Sequence, residues 1–165
     1  MHKTLFLLCP TDCLEAKVNN TFRQENYFYT SLGNSFVSNL ETLRSIKELI
    51  EKHNIRKISF VLSNDNEIIL DALEGQFFSG VRGLETFYNE IMEQKEHSDL
   101  SWRTGDRQFA LLSYYLNKRI RELRLQLCSF FRFPFEINGR IYDRYDDTFI
   151  AIYSDLICIE KYSLN

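Results

Sequence analysis

Two short, nearly unbroken runs of hydrophobicity constrain this chain most: Thr4-Leu-Phe-Leu-Leu-Cys9 and Lys57-Ile-Ser-Phe-Val-Leu62. A strand with one wet face alternates apolar and polar residues, whereas a near-continuous run needs cover on both faces, as in a parallel sheet between helix layers. The intervening sequence supplies that cover. Leu14, Val18 and Phe22 recur every fourth residue and predict a short helix, and Tyr27-Phe28-Tyr29-Thr30 is rich in strand formers. Gly33-Asn34-Ser35 breaks that strand and offers a cap for a long helix whose apolar face is Phe36, Leu40, Leu43, Ile46, Leu49 and Ile50. Asn54 can end it in a left-handed conformation. Strand, helix, strand, helix, strand before residue 65 implies right-handed crossovers and a parallel sheet. Ligands of such sheets sit beyond the carboxyl ends of the strands. Here those ends are the loops Cys9 to Cys13, Leu32 to Ser35 and Ser63 to Glu67.

The second half predicts two helices and a hairpin. Leu84, Phe87, Tyr88, Ile91 and Met92 mark one apolar stripe, and Phe109, Leu112, Leu116, Ile120, Leu123 and Leu127 a longer one. Glu93 to Gly105 reads as an exposed loop anchored by Trp102. Arg140 to Tyr145 and Thr148 to Tyr153 flank Asp146-Asp147 as a hairpin that should add an antiparallel edge strand. The 165 residues amount to one domain, residues 1–165, and 14 Phe with 9 Tyr exclude a disordered chain. The net charge of −3 argues against nucleic acid as a partner. The positive residues Lys118, Arg119, Arg121 and Arg124 read as a solvated helix face, with binding of an acidic partner or nucleic acid as the alternative.

No apolar run approaches the ~18 to 20 residues of a membrane span, and Thr4 to Cys9 lacks the cleavage signal of a leader. Cys128 and Cys158 read as small core residues, so a cytoplasmic address is expected. His2, His53 and His97 are scattered away from the three loops.

Taken together, the loops resemble those of a degenerate beta-class carbonic anhydrase. That family carries Cys-x-Asp-x-Arg after its first strand, where this chain has Cys9-Pro10-Thr11-Asp12-Cys13. The family's Arg-Asn-Ala-Gly-Asn run is represented by Thr30-Ser31-Leu32-Gly33-Asn34, and its Gly-His-x-x-Cys-Gly by Ser63-Asn64-Asp65-Asn66-Glu67. Ile120 to Leu127 followed by Phe135 to Tyr142 is similar to the family's late helix, turn and strand. Residues 75–105 depart most, and the sequence assigns them no role.

The resemblance implies a three-layer α/β fold with a mostly parallel sheet, a homodimer, and an ancestral zinc held by Cys, His and Cys. Zinc of that kind lowers the pKa of bound water toward 7 for attack on carbon dioxide. Carried over residue by residue, Cys9 keeps the first ligand position, while Asn64 stands at the His, Glu67 at the second Cys, Thr11 at the Asp and Cys13 at the Arg. An amide is a poor zinc ligand, and Cys9 with Glu67 makes two donors where a catalytic site wants three. The expectation is therefore a non-catalytic protein that has lost the zinc site and keeps the scaffold for binding or interaction, with no cofactor. Two alternatives remain. One is a metal-dependent hydratase rebuilt on Cys9, Cys13 and Glu67, with zinc as cofactor. The other is a small-molecule or anion-binding module using Thr11, Asp12, Gly33, Asn34 and Asn64. Asp12 could also slip into the missing Asp's role, although loop solvation or helix capping accounts for it as well.

Overall fold

The structure, a computed structural model, describes residues 3–35, 40–81, 84–98 and 107–153. Within these residues five strands form one sheet in the order β2-β1-β3-β4-β5. They are β1 (Lys3–Leu8), β2 (Glu25–Thr30), β3 (Lys57–Ser63), β4 (Glu136–Asp143) and β5 (Thr148–Ala151). The first four are parallel, and β5 returns antiparallel along the edge of β4. β1 and β3 are direct parallel neighbours, with Leu5 opposite Ile58 and Leu7 opposite Phe60. The expected mostly parallel sheet and the antiparallel edge hairpin are both present.

Among the described residues five α-helices cover the sheet: α1 (Glu15–Thr21), α2 (Leu40–His53), α3 (Glu67–Leu73), α4 (Glu85–Ser98) and α5 (Arg107–Phe130). The layers are unequal. Leu5, Leu7, Ile58, Phe60 and Leu62 face a large core built with Ile46 and Ile50 of α2, Ile69 of α3, Ile91 of α4 and Leu112, Tyr115 and Leu116 of α5. Phe6, Leu8 and Val61 point the other way, into a smaller core with Leu14, Val18 and Tyr142. This two-sided burial is why β1 and β3 lack alternation; each fully buried Leu or Phe contributes about 1.5–3 kcal/mol over an exposed one. The reversal of direction from β1 to β2 and then to β3 puts α1 and α2 on opposite faces, as right-handed crossovers require.

Several sequence expectations change. α4 continues to Ser98, so residues 93–98 are helical rather than loop; a run of Glu, Gln and Lys favours helix even where it presents no apolar stripe. Leu40 is 78% exposed and does not join the core face of α2. Cys128 is exposed, because Leu127 takes the inward position on the last turns of α5. Arg119 is not on a solvated face: it lies buried between Glu90 of α4 and Glu122. Asn54 does adopt the left-handed conformation after α2, with φ of 52°. Phe36, Trp102 and Cys158 lie outside the described residues. Among the described residues no helix is long and apolar enough to cross a membrane.

Candidate functional site

The three expected loops do converge at the carboxyl ends of β1, β2 and β3. After Cys9 the chain makes a single 3-10 turn, Pro10–Asp12, with Pro at its first position, where the missing N–H costs nothing. The Asp12 amide closes the turn on the Cys9 carbonyl at 3.1 Å, and Cys13 exits left-handed with φ of 53°. That geometry swings Asp12 inward, to 2% exposure, and turns Cys13 outward.

Asp12 is the hub of the site. One carboxylate oxygen accepts the Ser63 amide at 2.9 Å and the other the Asn66 side-chain amide at 2.8 Å. Asn66 in turn caps α3 by accepting the Ile69 amide at 3.0 Å. Thus one carboxylate ties the first loop to the third and fixes where α3 begins. Burial pushes the Asp12 pKa up, and the Ser63 and Asn66 hydrogen bonds and nearby Arg144 pull against that rise. Arg144, at the start of the β4–β5 turn, donates from Nε to both Asp65 oxygens, at 3.0 and 2.9 Å, and from Nη2 to the Asp12 carbonyl at 3.2 Å. Although desolvation works upward on Asp65, the Ser63 hydroxyl and Arg144 hold its carboxyl below the usual range.

The second loop is held from above by α5. Gly33 has φ of 61°, and a Cβ built there would lie 3.1 Å from Phe87 and 3.2 Å from Ile68, so both conformation and space call for glycine. Its amide donates to Cys9 Sγ at 3.0 Å, and its carbonyl accepts the buried Tyr115 hydroxyl at 2.9 Å. Burial raises the Tyr115 phenol well above its ordinary pKa, so it serves as a neutral donor. One turn further along α5, Arg119 Nη1 donates to the Ser35 carbonyl at 3.1 Å. Asn34 reaches down to the Leu7 and Val61 carbonyls, at 3.1 and 2.7 Å, bridging the ends of β1 and β3. Its own Oδ1 is buried without a partner among the described residues.

Of the remaining candidates, Thr11 joins this centre and the others lie around it. Thr11 Oγ1 lies 3.0 Å from Cys9 Sγ, so that sulfur already has two hydrogen-bond neighbours. Cys13 is exposed, with its thiol donating to the Pro10 carbonyl. Asn64 is engaged through its backbone amide with the Tyr142 carbonyl and through Oδ1 with the Arg144 amide. Glu67 is exposed on the first turn of α3. The structure therefore brings Cys9, Thr11, Asp12, Gly33 and Asn34 into one hydrogen-bonded centre, and leaves Cys13 and Glu67 at its outside.

A catalytic zinc needs three protein donors within bonding distance of one point. Among the described residues no three His, Cys, Asp or Glu side chains are so grouped. Cys9 is surrounded by donors rather than by further ligands, and Asp12 spends both oxygens on Ser63 and Asn66. Among the described residues, the donors present do not make up that three-ligand set.

Sequence reasoning missed Arg144, Asn66, Ser63 and Tyr115. Asn66 was findable: an Asn two residues before the apolar run Ile68-Ile69-Leu70 is an N-cap signal. Tyr115 carries no local signal, since its partner Gly33 lies 82 positions away.

No family model matches the sequence, and no curated protein matches it. Solved structures do. The beta-carbonic anhydrase CafD of Aspergillus fumigatus superposes with a TM-score of 0.74 over 93% of this chain and 90% of its own, at 18% identity. A tetrameric beta-carbonic anhydrase of Sordaria macrospora gives 0.72 over 93% and 81%, at 14% identity. The Coccomyxa beta-carbonic anhydrase in complex with acetazolamide gives 0.69 over 98% and 83%, at 13% identity. At these identities the likeness is one of fold, and the fold is that of the beta-carbonic anhydrases.

Proposed function

We propose that this chain, with the fold of a beta-carbonic anhydrase, is a non-catalytic member of that architecture whose strand-end site has exchanged metal ligation for a hydrogen-bonded scaffold used in binding. The observation that carries the reading is Asp12, buried and committed to Ser63 and Asn66, which joins two loops that a shared metal could otherwise clamp. The chemistry of the donor set supports it: hydration of carbon dioxide needs a metal-bound hydroxide, and among the described residues Cys9 has no second and third ligand beside it. The functional ligand in this reading is a small anion or neutral small molecule at Thr11, Asn64 and Arg144, on the outer side of the Asp12 hub. Self-association as a homodimer fits an aromatic content of 15% and the tetrameric assembly of the Sordaria macrospora proteins. A cytoplasmic address completes the proposal.

The test is a stopped-flow pH-indicator assay of carbon dioxide hydration, run with and without added zinc. The expected result is a rate equal to the buffer blank in both. Zinc-dependent turnover by the unmodified protein would overturn the reading. Light scattering at micromolar protein addresses assembly separately, with a dimer expected and a stable monomer contradicting it.

A further inference from the structure

At the opposite end of the sheet from this site, the first residues of β1, β3 and β4 line a groove of about 820 Å³. That volume falls within the range of small-molecule sites, roughly 300–1,000 Å³. Its walls carry Lys3, Arg56 and Lys57 against the carboxylate of Glu136, with Glu25 beside Lys3, so three cations face two carboxylates in a chain whose net charge is −3. Parallel pairing enforces the clustering: Lys57 sits opposite Glu136 across one strand pair and Thr4 across the other, so Lys3 and Lys57 begin neighbouring strands.

The three cations differ in readiness. Lys3 pairs with Glu25 at 3.5 Å and Lys57 with Glu136 at 2.6 Å, both at partly exposed positions where solvent screens an ion pair and leaves it exchangeable. Arg56 has no carboxylate partner among the described residues and is braced from behind: its guanidinium carbon lies 3.4 Å from the Phe133 ring centroid. Phe133 packs on Phe135 at 4.9 Å, and Phe135 on Phe131 at 5.2 Å. A stacked guanidinium keeps its in-plane N–H donors for an anion, the geometry that suits phosphate. The same groove has apolar plates in Pro134 and Phe135. A rigid cation beside two exchangeable ones, next to flat apolar surface, matches a ligand with a phosphate at one end and a planar ring at the other.

We infer that this groove is a second binding site, separate from the strand-end loops, for a mononucleotide-sized phosphate ester, with Arg56, Lys3 and Lys57 on the phosphate and Pro134 and Phe135 against the ring. Isothermal titration of the full chain with adenosine monophosphate, and separately with inorganic phosphate, tests it. Adenosine monophosphate is expected to bind saturably, more tightly than inorganic phosphate, and to weaken as salt rises. Arg56→Gln should loosen it by about tenfold, the scale of one charge-assisted bidentate contact. Phe135→Leu should loosen adenosine monophosphate and leave inorganic phosphate unchanged. Circular dichroism and the thermal midpoint establish that each variant is folded. Absence of saturable binding, equal affinity for the two probes, or binding indifferent to Arg56→Gln in a folded variant would each overturn the inference. None of the groove residues belongs to the strand-end loops, so zinc-dependent hydration there would overturn the proposed function and leave this binding result unchanged.

Discussion

Replacing Asp12 by Ala should cost the protein more than any other single change at the strand ends. The substitution leaves two buried donors, the Ser63 amide and the Asn66 side-chain amide, with no acceptor. An unmet buried donor costs about 1–3 kcal/mol. Part of that is returned, because the parent must keep a carboxylate out of water, a burden visible in its raised pKa. A net loss of about 2–4 kcal/mol follows. For a chain of this length each kcal/mol moves the thermal midpoint by about 2–4 °C, so a fall of about 4–16 °C is expected. Asp12→Asn retains one acceptor but presents an NH2 group to the other donor, and should lose about half as much. Urea unfolding followed by far-UV circular dichroism gives the free energy directly, with an unchanged slope if the native surface is intact. Hydrogen exchange at Ser63 and Ile69 adds a local reading, since both amides depend on the Asp12–Asn66 connection. A loss under about 0.5 kcal/mol, the range of ordinary surface substitutions, would refute the placement of Asp12 as the hub.

The same carboxyl predicts a direction with pH. Because its folded pKa lies above 3.8, the folded state holds the proton more tightly than the unfolded chain, and the Asp12 contribution to stability is fully present below 3.8 and falls as pH rises through the folded value; the difference between parent and Asp12→Asn, measured by urea titration across the acid range, should show that slope. Tyr115→Phe strands the Gly33 carbonyl in the core and should cost about 1–2 kcal/mol by the same unfolding assay, while leaving the Cys9 end of the loop in place. Introducing Asn64→His with Glu67→Cys should give a chain that takes up zinc in a metal-binding titration yet remains a poor hydratase, since Thr11 and Cys13 still stand in place of the Asp and Arg of the resembled family; efficient turnover would show that those two positions are dispensable.

Much of this architecture was legible in the sequence for a physical reason. Strands buried on both faces cannot alternate, so β1 and β3 announced a covered parallel sheet through Leu5, Leu7, Ile58 and Phe60. The strand order then located the loops, and Cys9, Asp12 and Gly33 all lie in them. What failed to show was anything that depends on a contact distant in sequence. Arg119 looked like one of several basic residues on a helix face, and only its meeting with Glu90 on α4 makes it a buried ion-pair residue. Asp12 looked like a loop residue because nothing local distinguishes a solvated Asp from one turned inward by a 3-10 turn. Leu40 misled in the opposite sense: its spacing fits the core stripe, but it opens α2, where it is exposed to solvent. Arg144 sits in a polar hairpin, and its role appears only when the β4–β5 turn folds beside Asp65 and the first loop.

The central claim of the proposed function is that hydrogen bonds, rather than a metal, join the strand-end loops. Metal analysis by mass spectrometry of the full chain, expressed in zinc-replete medium and purified without chelator, tests it most directly. The account predicts zinc far below one atom per chain, and a thermal midpoint unmoved by subsequent treatment with a chelator. Stoichiometric zinc, lost with chelator together with several degrees of stability, would contradict it.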